Sequence, residues 1–255
     1  MRILAIETSC DETAIAFMKA SGGLKSPKLK IVKNLVSSQI KIHRPFGGVV
    51  PNLAKREHLR NLPILFKQIT KSPFDKLKAS KEQIDLIAVT VGPGLEPALW
   101  TGINFAEEIQ KKYFPKTKII GANHLEGHLY SFLLKQKTVN PKSKTLISKL
   151  FPAIALIVSG GHTILLLMES LTKWKKLGET LDDAVGESFD KVARMLELPY
   201  PGGPEVEKLA AKGNPDAINF PRPMIHQKNS RSEQSRRYNF SFSGLKTSVL
   251  YYLKS

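Results

Sequence analysis

The sequence is poor in cysteine and in long apolar runs. Its one cysteine, Cys10, cannot form a disulfide within the chain, which indicates a reducing compartment. No apolar run approaches the roughly 18 residues that cross a bilayer, so a membrane partner is not expected. The N-terminus reaches Glu7 before an apolar segment long enough for a secretory signal has formed. We therefore expect a cytoplasmic protein.

Acidic residues are also scarce relative to basic ones. The chain has 22 aspartates and glutamates against 39 lysines and arginines, a formal net charge of +17 over 255 residues. Such an excess is typical of proteins that contact a polyanion such as nucleic acid. A lysine-rich genome would give the same composition, and the charge is spread along the chain, so both explanations stay open at this point.

Two histidines four residues apart, His124 and His128, form the most distinctive local pattern. We predict a helix over residues 123–134, which places both imidazoles on one face. That spacing suits one divalent metal ion bound by two imidazole nitrogens. Taken alone, such a pair is more often a feature of local structure than a metal site.

A glycine turn follows the histidine pair. The apolar segments 153–158 and 164–168 predict a β-hairpin, and the turn between them contains Ser159, Gly160 and Gly161. Backbone amides without bulky side chains can approach a phosphate closely. A metal ion beside a nucleotide phosphate would make an active site.

Each half of the chain shows the same order of predicted elements: three strands, a helix and a glycine-rich segment. We predict two similar lobes, residues 1–117 and 118–255, with a ligand cleft between them.

Pro63 is expected to kink or split a helix that starts near Pro51. Segments 135–149 and 222–237 are predicted basic loops. A later helix is predicted to turn one apolar face inward, formed by Val185, Phe189, Val192, Met195 and Leu196.

Nine motifs occur in an order that resembles the tRNA N6-adenosine threonylcarbamoyltransferase family in its bacterial, TsaD-like form. They lie at residues 7–13, 47–51, 92–95, 124–128, 158–163, 178–183, 189–191, 200–204 and 240–246. The resemblance implies an α/β fold of the two-lobed actin/Hsp70/sugar-kinase type, with duplicated βββα units. It also implies that the second lobe is incomplete, because the family's third metal ligand, an aspartate near the C-terminus, is not in this sequence.

The resemblance implies a reaction and a set of site residues. The family transfers a threonylcarbamoyl group from threonylcarbamoyl-adenylate to N6 of adenosine 37 in tRNAs that read codons beginning with A. His124 and His128 match its metal ligands, with one divalent ion per subunit, iron first and zinc as the alternative. A further set of positions matches residues that hold the adenylate. These are Ile157, Val158, Ser159, Gly160, Gly161, Asp190 and Gly203, with Glu207 as an added contact in some members. The implied protein partners are a paralogous subunit of the same fold and a small ATPase.

The chemistry assigns candidate catalytic residues. The adenine N6 amine is a poor nucleophile, so an enzyme has to position it against the carbonyl carbon and remove its proton. Asp11 or Glu12, in the turn after the first strand, could orient the metal or accept that proton. The residues do not decide between these two carboxylates.

Other functions fit part of the pattern. A metallopeptidase is disfavoured, because Leu125 lies where zinc peptidases have their glutamate and Glu126 lies about 100° further around the helix. A non-catalytic paralogue that serves as a scaffold would be expected to lack the histidine pair. A sugar kinase of the same fold would not explain that pair.

Overall fold

The computed structural model describes residues 1–23, 27–70, 84–134, 147–224 and 238–255. These residues form two compact units. Unit 1 contains residues 1–43 and 49–147, and unit 2 contains residues 44–48 and 148–255. Most of both predicted basic loops, 135–149 and 222–237, lies outside the described residues.

Unit 1 contains a five-stranded sheet in the order β3-β2-β1-β4-β5. The strands are β1 Arg2–Glu7, β2 Glu12–Ser21, β3 Lys28–Ser38, β4 Leu86–Gly92 and β5 Lys118–Asn123. The first three form an antiparallel meander, and β4 and β5 extend the sheet parallel to β1. Alternate buried residues in β1 and β2, such as Leu4 and Ile15, face the core, as expected for strands with one buried face.

Two long helices, α2 Pro51–Thr70 and α3 Glu96–Tyr113, pack on the buried face of this sheet. Two short helices, α1 Ile40–His43 and α4 His124–Leu129, complete the unit. The predicted stripe on α2 is confirmed, since Leu62, Leu65 and Ile69 lie in the same hydrophobic cluster as Leu4 and Ile15. Burying each such side chain contributes about 1.5–3 kcal/mol.

The predicted split of α2 at Pro63 is wrong, because the helix is continuous from Pro51 to Thr70. A proline within a helix leaves the carbonyl four residues before it without its N–H partner. Here that carbonyl belongs to Leu59, which is exposed, so water can replace the missing donor. The helix therefore continues through the proline.

Unit 2 repeats the antiparallel meander with β6 Ala153–Val158, β7 Thr163–Met168 and β8 Trp174–Glu179. The predicted hairpin is confirmed, as is the α/β class with duplicated βββα units. In the described part of unit 2 the sheet has three strands. Its helices are α5 Val185–Met195, α6 Gly202–Ala210 and α7 Ser243–Lys254.

The predicted inward face of α5 is only partly confirmed, because Val185, Val192 and Met195 are half-buried. Phe189 and Leu196 are exposed, whereas Ser188 and Ala193 are buried. The reason is the close approach of α6: a Cβ placed on Gly202 would overlap the Ala193 side chain. Only small residues fit at this contact, and Phe189 and Leu196 lie outside it.

The predicted lobe boundary between residues 117 and 118 falls inside unit 1. β5 follows that point and pairs with β4, so it completes the first sheet. Residues 44–48 join unit 2 for a different reason. The Arg44 guanidinium donates to the carbonyl of Tyr200 at 2.9 Å, and the Arg194 guanidinium donates to the carbonyl of Gly47.

One face of β6 carries exposed apolar side chains. Ile154, Leu156 and Val158 are 61%, 56% and 54% exposed, while Ile157 between them is buried. β6 is also an edge strand of its sheet.

Among the described residues, no helix is long and apolar enough to cross a membrane.

Candidate active site

The histidine pair lies on the short helix α4 of unit 1. The Asn123 side chain caps this helix by accepting hydrogen bonds from the amides of Leu125 and Glu126 at 2.9 and 3.2 Å. The helix has six residues and ends at Leu129, so the prediction of a helix to residue 134 is wrong. Leu129 is its only buried residue, so little packing is available to extend it.

The two imidazoles of α4 converge on one point. Nε2 of His124 lies 3.2 Å from Nε2 of His128. Two nitrogen ligands about 2.0–2.1 Å from a tetrahedral metal ion are separated by about 3.3 Å, so the separation of this pair matches that of two ligands on one ion. Partial desolvation, and then the neighbouring His124, lowers the pKa of His128, which favours the neutral form that binds metal.

A carboxylate and a hydroxyl hold the other nitrogen of His124. Nδ1 lies 3.1 Å from Oγ of Ser9 and 3.3 Å from Oε2 of Glu7. Burial alone would raise the pKa of Glu7, but hydrogen bonds with His124, Ser9 and Thr90 lower it to about 2. A metal-binding histidine commonly donates its second N–H to such a carboxylate, which fixes the ring and its tautomer.

Sequence reasoning missed Glu7 and Ser9. Glu7 ends β1, and Ser9 follows it in the polar turn that we had considered only for Asp11 and Glu12. The available signal was that Glu7 ends one strand of the sheet while the histidines directly follow another strand. β1 and β5 both pair with β4, which brings the two strand ends together.

Asp11 lies in the same turn, and Glu12 begins β2 directly after it. Within the described ranges, neither side chain forms a hydrogen bond or ion pair with His124 or His128. Glu12 is exposed at the start of β2. The described residues contain no group of three or more histidine, cysteine, aspartate or glutamate side chains placed to hold a metal.

The glycine loop before α3 supports this turn. A Cβ on Gly94 would lie 2.6 Å from the carbonyl oxygen of Ser9, and one on Gly102 would overlap the Thr8 hydroxyl. The Leu95 amide donates to the Ser9 carbonyl at 2.8 Å. The space at this helix N-terminus is therefore filled by the protein's own turn and not left for a phosphate.

The second group of predicted residues lies in unit 2, around the turn between β6 and β7. The Ser159 hydroxyl accepts hydrogen bonds from the amides of Gly161 and His162 at 3.3 and 3.0 Å, and the Ser159 amide donates to the His162 carbonyl at 2.9 Å. In the part of the chain that the structure describes, the Gly160 amide has no such partner. The turn thus presents fewer unpaired amides than its sequence suggests.

Helix α5 connects this turn to Asp190. Gly186, in its first turn, leaves no room for a Cβ, which would lie 2.6 Å from the Ser159 carbonyl oxygen. Asp190 follows four residues later, on the same face of the helix. Its Oδ1 accepts a hydrogen bond from the Gly202 amide at 2.7 Å, which ties α5 to the start of α6.

The remaining predicted residues of unit 2 differ in accessibility. The Ile157 side chain is buried and that of Val158 is exposed, because they alternate across β6. A Cβ on Gly203 would find its nearest neighbour 3.9 Å away, so this glycine is not required by packing. Glu207 is exposed on α6.

Comparison with known proteins identifies the family to which this chain is similar. Among solved structures, YeaZ from Pseudomonas aeruginosa is 12% identical, with a TM-score of 0.33 over 69% of this chain and 63% of its own. Curated relatives from Fervidobacterium nodosum and Thermosipho melanesiensis are 46% and 48% identical over 254 residues. Both are named tRNA N6-adenosine threonylcarbamoyltransferase, and both alignments cover 100% of this chain.

The chain spans about two thirds of the length of these relatives, 66% and 68% respectively. The sequence model of the family "TsaD: tRNA N6-adenosine threonylcarbamoyltransferase" matches residues 30–254. That match includes both histidines and all of the predicted adenylate-binding positions. The chain therefore belongs to the tRNA N6-adenosine threonylcarbamoyltransferase family.

Proposed function

We propose that the protein containing this chain transfers the threonylcarbamoyl group from threonylcarbamoyl-adenylate to N6 of adenosine 37 in tRNAs that read codons beginning with A. The observation that carries this proposal is the family match over residues 30–254, within which the histidine pair is retained. Neither the scaffold nor the metallopeptidase alternative gains support. Glu126 lies one position after the place of the glutamate in zinc peptidases. It belongs to the first turn of α4, where its backbone amide donates to the Asn123 side chain.

His124 and His128 are the proposed ligands of one divalent ion, iron first and zinc as the alternative. Their nitrogen separation of 3.2 Å and the Glu7 carboxylate behind His124 support this assignment. When bound, such an ion supplies Lewis-acid polarisation of a carbonyl or carbamoyl oxygen. Glu7 keeps the proton of His124 on Nδ1, which leaves the Nε2 lone pair available as a ligand.

The transfer forms one C–N bond and breaks one C–O bond. The N6 amine attacks the carbamoyl carbon, AMP leaves with the electron pair of the anhydride bond, and N6 loses a proton. Asp11 and Glu12 remain the proposed acceptors of that proton. Positioning of the two reactants can lower the barrier by about 7–11 kcal/mol.

The adenylate is proposed to bind on unit 2. The Gly160 amide, which has no partner among the described residues, is the donor in the Ser159–Gly161 turn that we assign to the phosphate. Asp190 is assigned to a ribose hydroxyl. Ile157 and Val158 contribute through their backbone, and Gly203 and Glu207 lie on α6, the helix that Asp190 contacts through Gly202.

The proposed partners are tRNA, a paralogous subunit of the same fold and a small ATPase, in the cytoplasm. The net charge of +17 supports contact with tRNA, because lysine and arginine side chains neutralise backbone phosphates. If this charge contributes to the affinity for tRNA, tRNA binding should weaken steeply as salt is added.

The test is a transfer assay with the full-length protein, the two protein partners, threonylcarbamoyl-adenylate and unmodified tRNA. We expect mass spectrometry to detect threonylcarbamoyl-adenosine at position 37. A control tRNA whose position 37 is guanosine should remain unmodified. Absence of product with all components present would overturn the proposal.

A further inference from the structure

A chain of buried hydrogen bonds lies behind the turn that contacts His124. His58, on α2, is fully buried, and its Nε2 lies 2.9 Å from the backbone carbonyl oxygen of Cys10. Its Nδ1 lies 2.8 Å from the hydroxyl of Thr13. The side chain of His58 therefore contacts the turn between β1 and β2 at Cys10 and the start of β2 at Thr13.

The partners of His58 fix its protonation. The Cys10 carbonyl can only accept, so Nε2 of His58 carries the proton and donates it. Nδ1 then accepts, from the Thr13 hydroxyl and from the amide of Gln39 at 3.3 Å. His58 is thus neutral and in a single tautomer.

A second buried histidine continues the chain. Nε2 of His43 donates to Oε1 of Gln39 at 3.0 Å, and Nδ1 of His43 accepts from the Val50 amide at 3.3 Å. Gln39, His43 and His58 are all fully buried. Because each donor meets an acceptor, the side-chain amide of Gln39 has one orientation, which in turn fixes Nδ1 of His58 as an acceptor.

The turn connects these buried hydrogen bonds to the histidine pair. Ser9 precedes Cys10, and the Ser9 hydroxyl lies 3.1 Å from Nδ1 of His124. The Ser9 amide donates to Oε1 of Glu7 at 2.5 Å, and Oε2 of Glu7 lies 3.3 Å from the same ring nitrogen. A shift of the Cys10 peptide would displace both groups that orient the His124 ring.

We propose that His58 is a positioning residue for the metal site: its bond to the Cys10 carbonyl sets the turn that orients His124. This inference rests on the proposed metal-binding role of the histidine pair. His58 itself touches neither the metal ligands nor any substrate, and it acts through Ser9 and Glu7.

Two substitutions separate the contacts of His58. His58→Gln places an amide donor near the position of Nε2 and keeps the bond to Cys10. His58→Asn places an oxygen near the position of Nδ1, so it keeps the acceptor for Thr13 but is too short to reach Cys10. A matched control is Thr117→Val, which removes a buried hydroxyl that donates to the Ile84 carbonyl at 2.8 Å; within the described ranges this hydroxyl forms no hydrogen bond with the turn.

The measurement is titration of each full-length variant with Co²⁺, followed by absorption, together with hydrogen exchange of the Leu95 amide, which donates to the Ser9 carbonyl. We expect His58→Asn to weaken Co²⁺ binding by about 10–100-fold and to speed exchange at Leu95. His58→Gln should restore most of the affinity, and Thr117→Val should leave it at the wild-type value.

The outcomes distinguish this inference from the proposed function. If the wild-type protein binds no Co²⁺, the metal assignment fails, while exchange at Leu95 still tests whether His58 holds the turn. If the wild type binds and His58→Asn binds equally well, or if His58→Gln is as weak as His58→Asn, the positioning role is overturned. Should His58→Asn not fold, His58→Gln becomes the deciding variant: it keeps the donor to the Cys10 carbonyl and loses the acceptor for Thr13, so Co²⁺ binding should stay near the wild-type value, and binding weakened about 10-fold or more overturns the inference.

Discussion

The carboxylate of Asp190 accepts a hydrogen bond from the Gly202 amide at 2.7 Å, which joins helix α5 to the start of α6. One oxygen of a residue assigned to the nucleotide is therefore already engaged in the fold. The second oxygen has no hydrogen bond among the described residues, so it is available to a ribose hydroxyl. We therefore predict two separable roles for Asp190, one in the fold and one in binding the nucleotide.

Two substitutions at this position test those roles. Asp190→Ala should weaken AMP binding by about 1–3 kcal/mol, because the carboxylate bond to a ribose hydroxyl is lost, and should also destabilise unit 2. Asp190→Asn keeps an oxygen for the Gly202 amide, so its thermal stability should match the wild type while AMP binding falls. Calorimetry on the full-length protein gives the affinities, and equal AMP affinity for Asp190→Ala would refute the ribose assignment.

The histidine pair provides a second prediction. Replacing both His124 and His128 by alanine in the full-length protein should abolish bound metal and transfer without unfolding the chain, since neither residue belongs to the core. Elemental analysis measures the metal, and circular dichroism checks the fold. His162→Ala removes an imidazole elsewhere and should leave the metal content unchanged. Retention of metal by the double variant would show that the ligands lie elsewhere.

Much of the fold could be predicted from periodicity in the sequence. The two short apolar segments on either side of the glycine turn predicted the hairpin, and the spacing of Leu62, Leu65 and Ile69 predicted the buried face of α2. Both patterns are local in the sequence. The burial of α5 was predicted only in part, because it depends on α6, whose close approach at Gly202 is not visible in the pattern of α5 itself.

The candidate site was predictable only where its residues are neighbours in sequence. His124 and His128 are four residues apart, so helical geometry alone brings them together. Glu7 is 117 residues away from His124 and reaches it through strand pairing, which no local pattern contains. The choice of Asp11 and Glu12 was based on charge, without knowledge of which side chain in the turn faces the histidines.

The two buried histidines predict a dependence of stability on pH. Burial lowers the pKa of both His43 and His58 from the ordinary 6.5. Nearby carboxylates act in the opposite direction: Asp11 on the pKa of both histidines, Glu57 on that of His43 and Glu7 on that of His58. Below pH 6.5 the unfolded chain therefore takes up protons that the folded chain does not. The free energy of unfolding should fall by up to about 1.4 kcal/mol per pH unit for each histidine.

Urea unfolding of the full-length protein between about pH 7.5 and 5.5 measures this dependence. His58→Asn removes one of the two titrating groups, so its stability should fall less steeply over the same interval. A free energy of unfolding that stays constant through this range in the wild type would contradict the neutral, buried state of these histidines.

The exposed face of β6 predicts self-association of the 255-residue chain. Ile154, Leu156 and Val158 form an apolar row on an edge strand, a combination that favours pairing with another chain. Light scattering should detect oligomers of residues 1–255, and replacing all three residues by threonine should reduce them. Replacing Ile31, Val32 and Val36 on β3, another edge strand with exposed apolar residues, is the control. A monomeric wild-type chain at high concentration would refute this prediction.

The packing of Gly94 against Ser9 restricts the order in which substitutions can accumulate in this family. An alanine at residue 94 would collide with the Ser9 carbonyl, so the turn has to move before that alanine is tolerated. Any such movement also displaces the groups that orient His124. Natural variation at residues 9, 94 and 124 is therefore expected to be epistatic, and laboratory evolution should reach Gly94→Ala only after a compensating change in the turn.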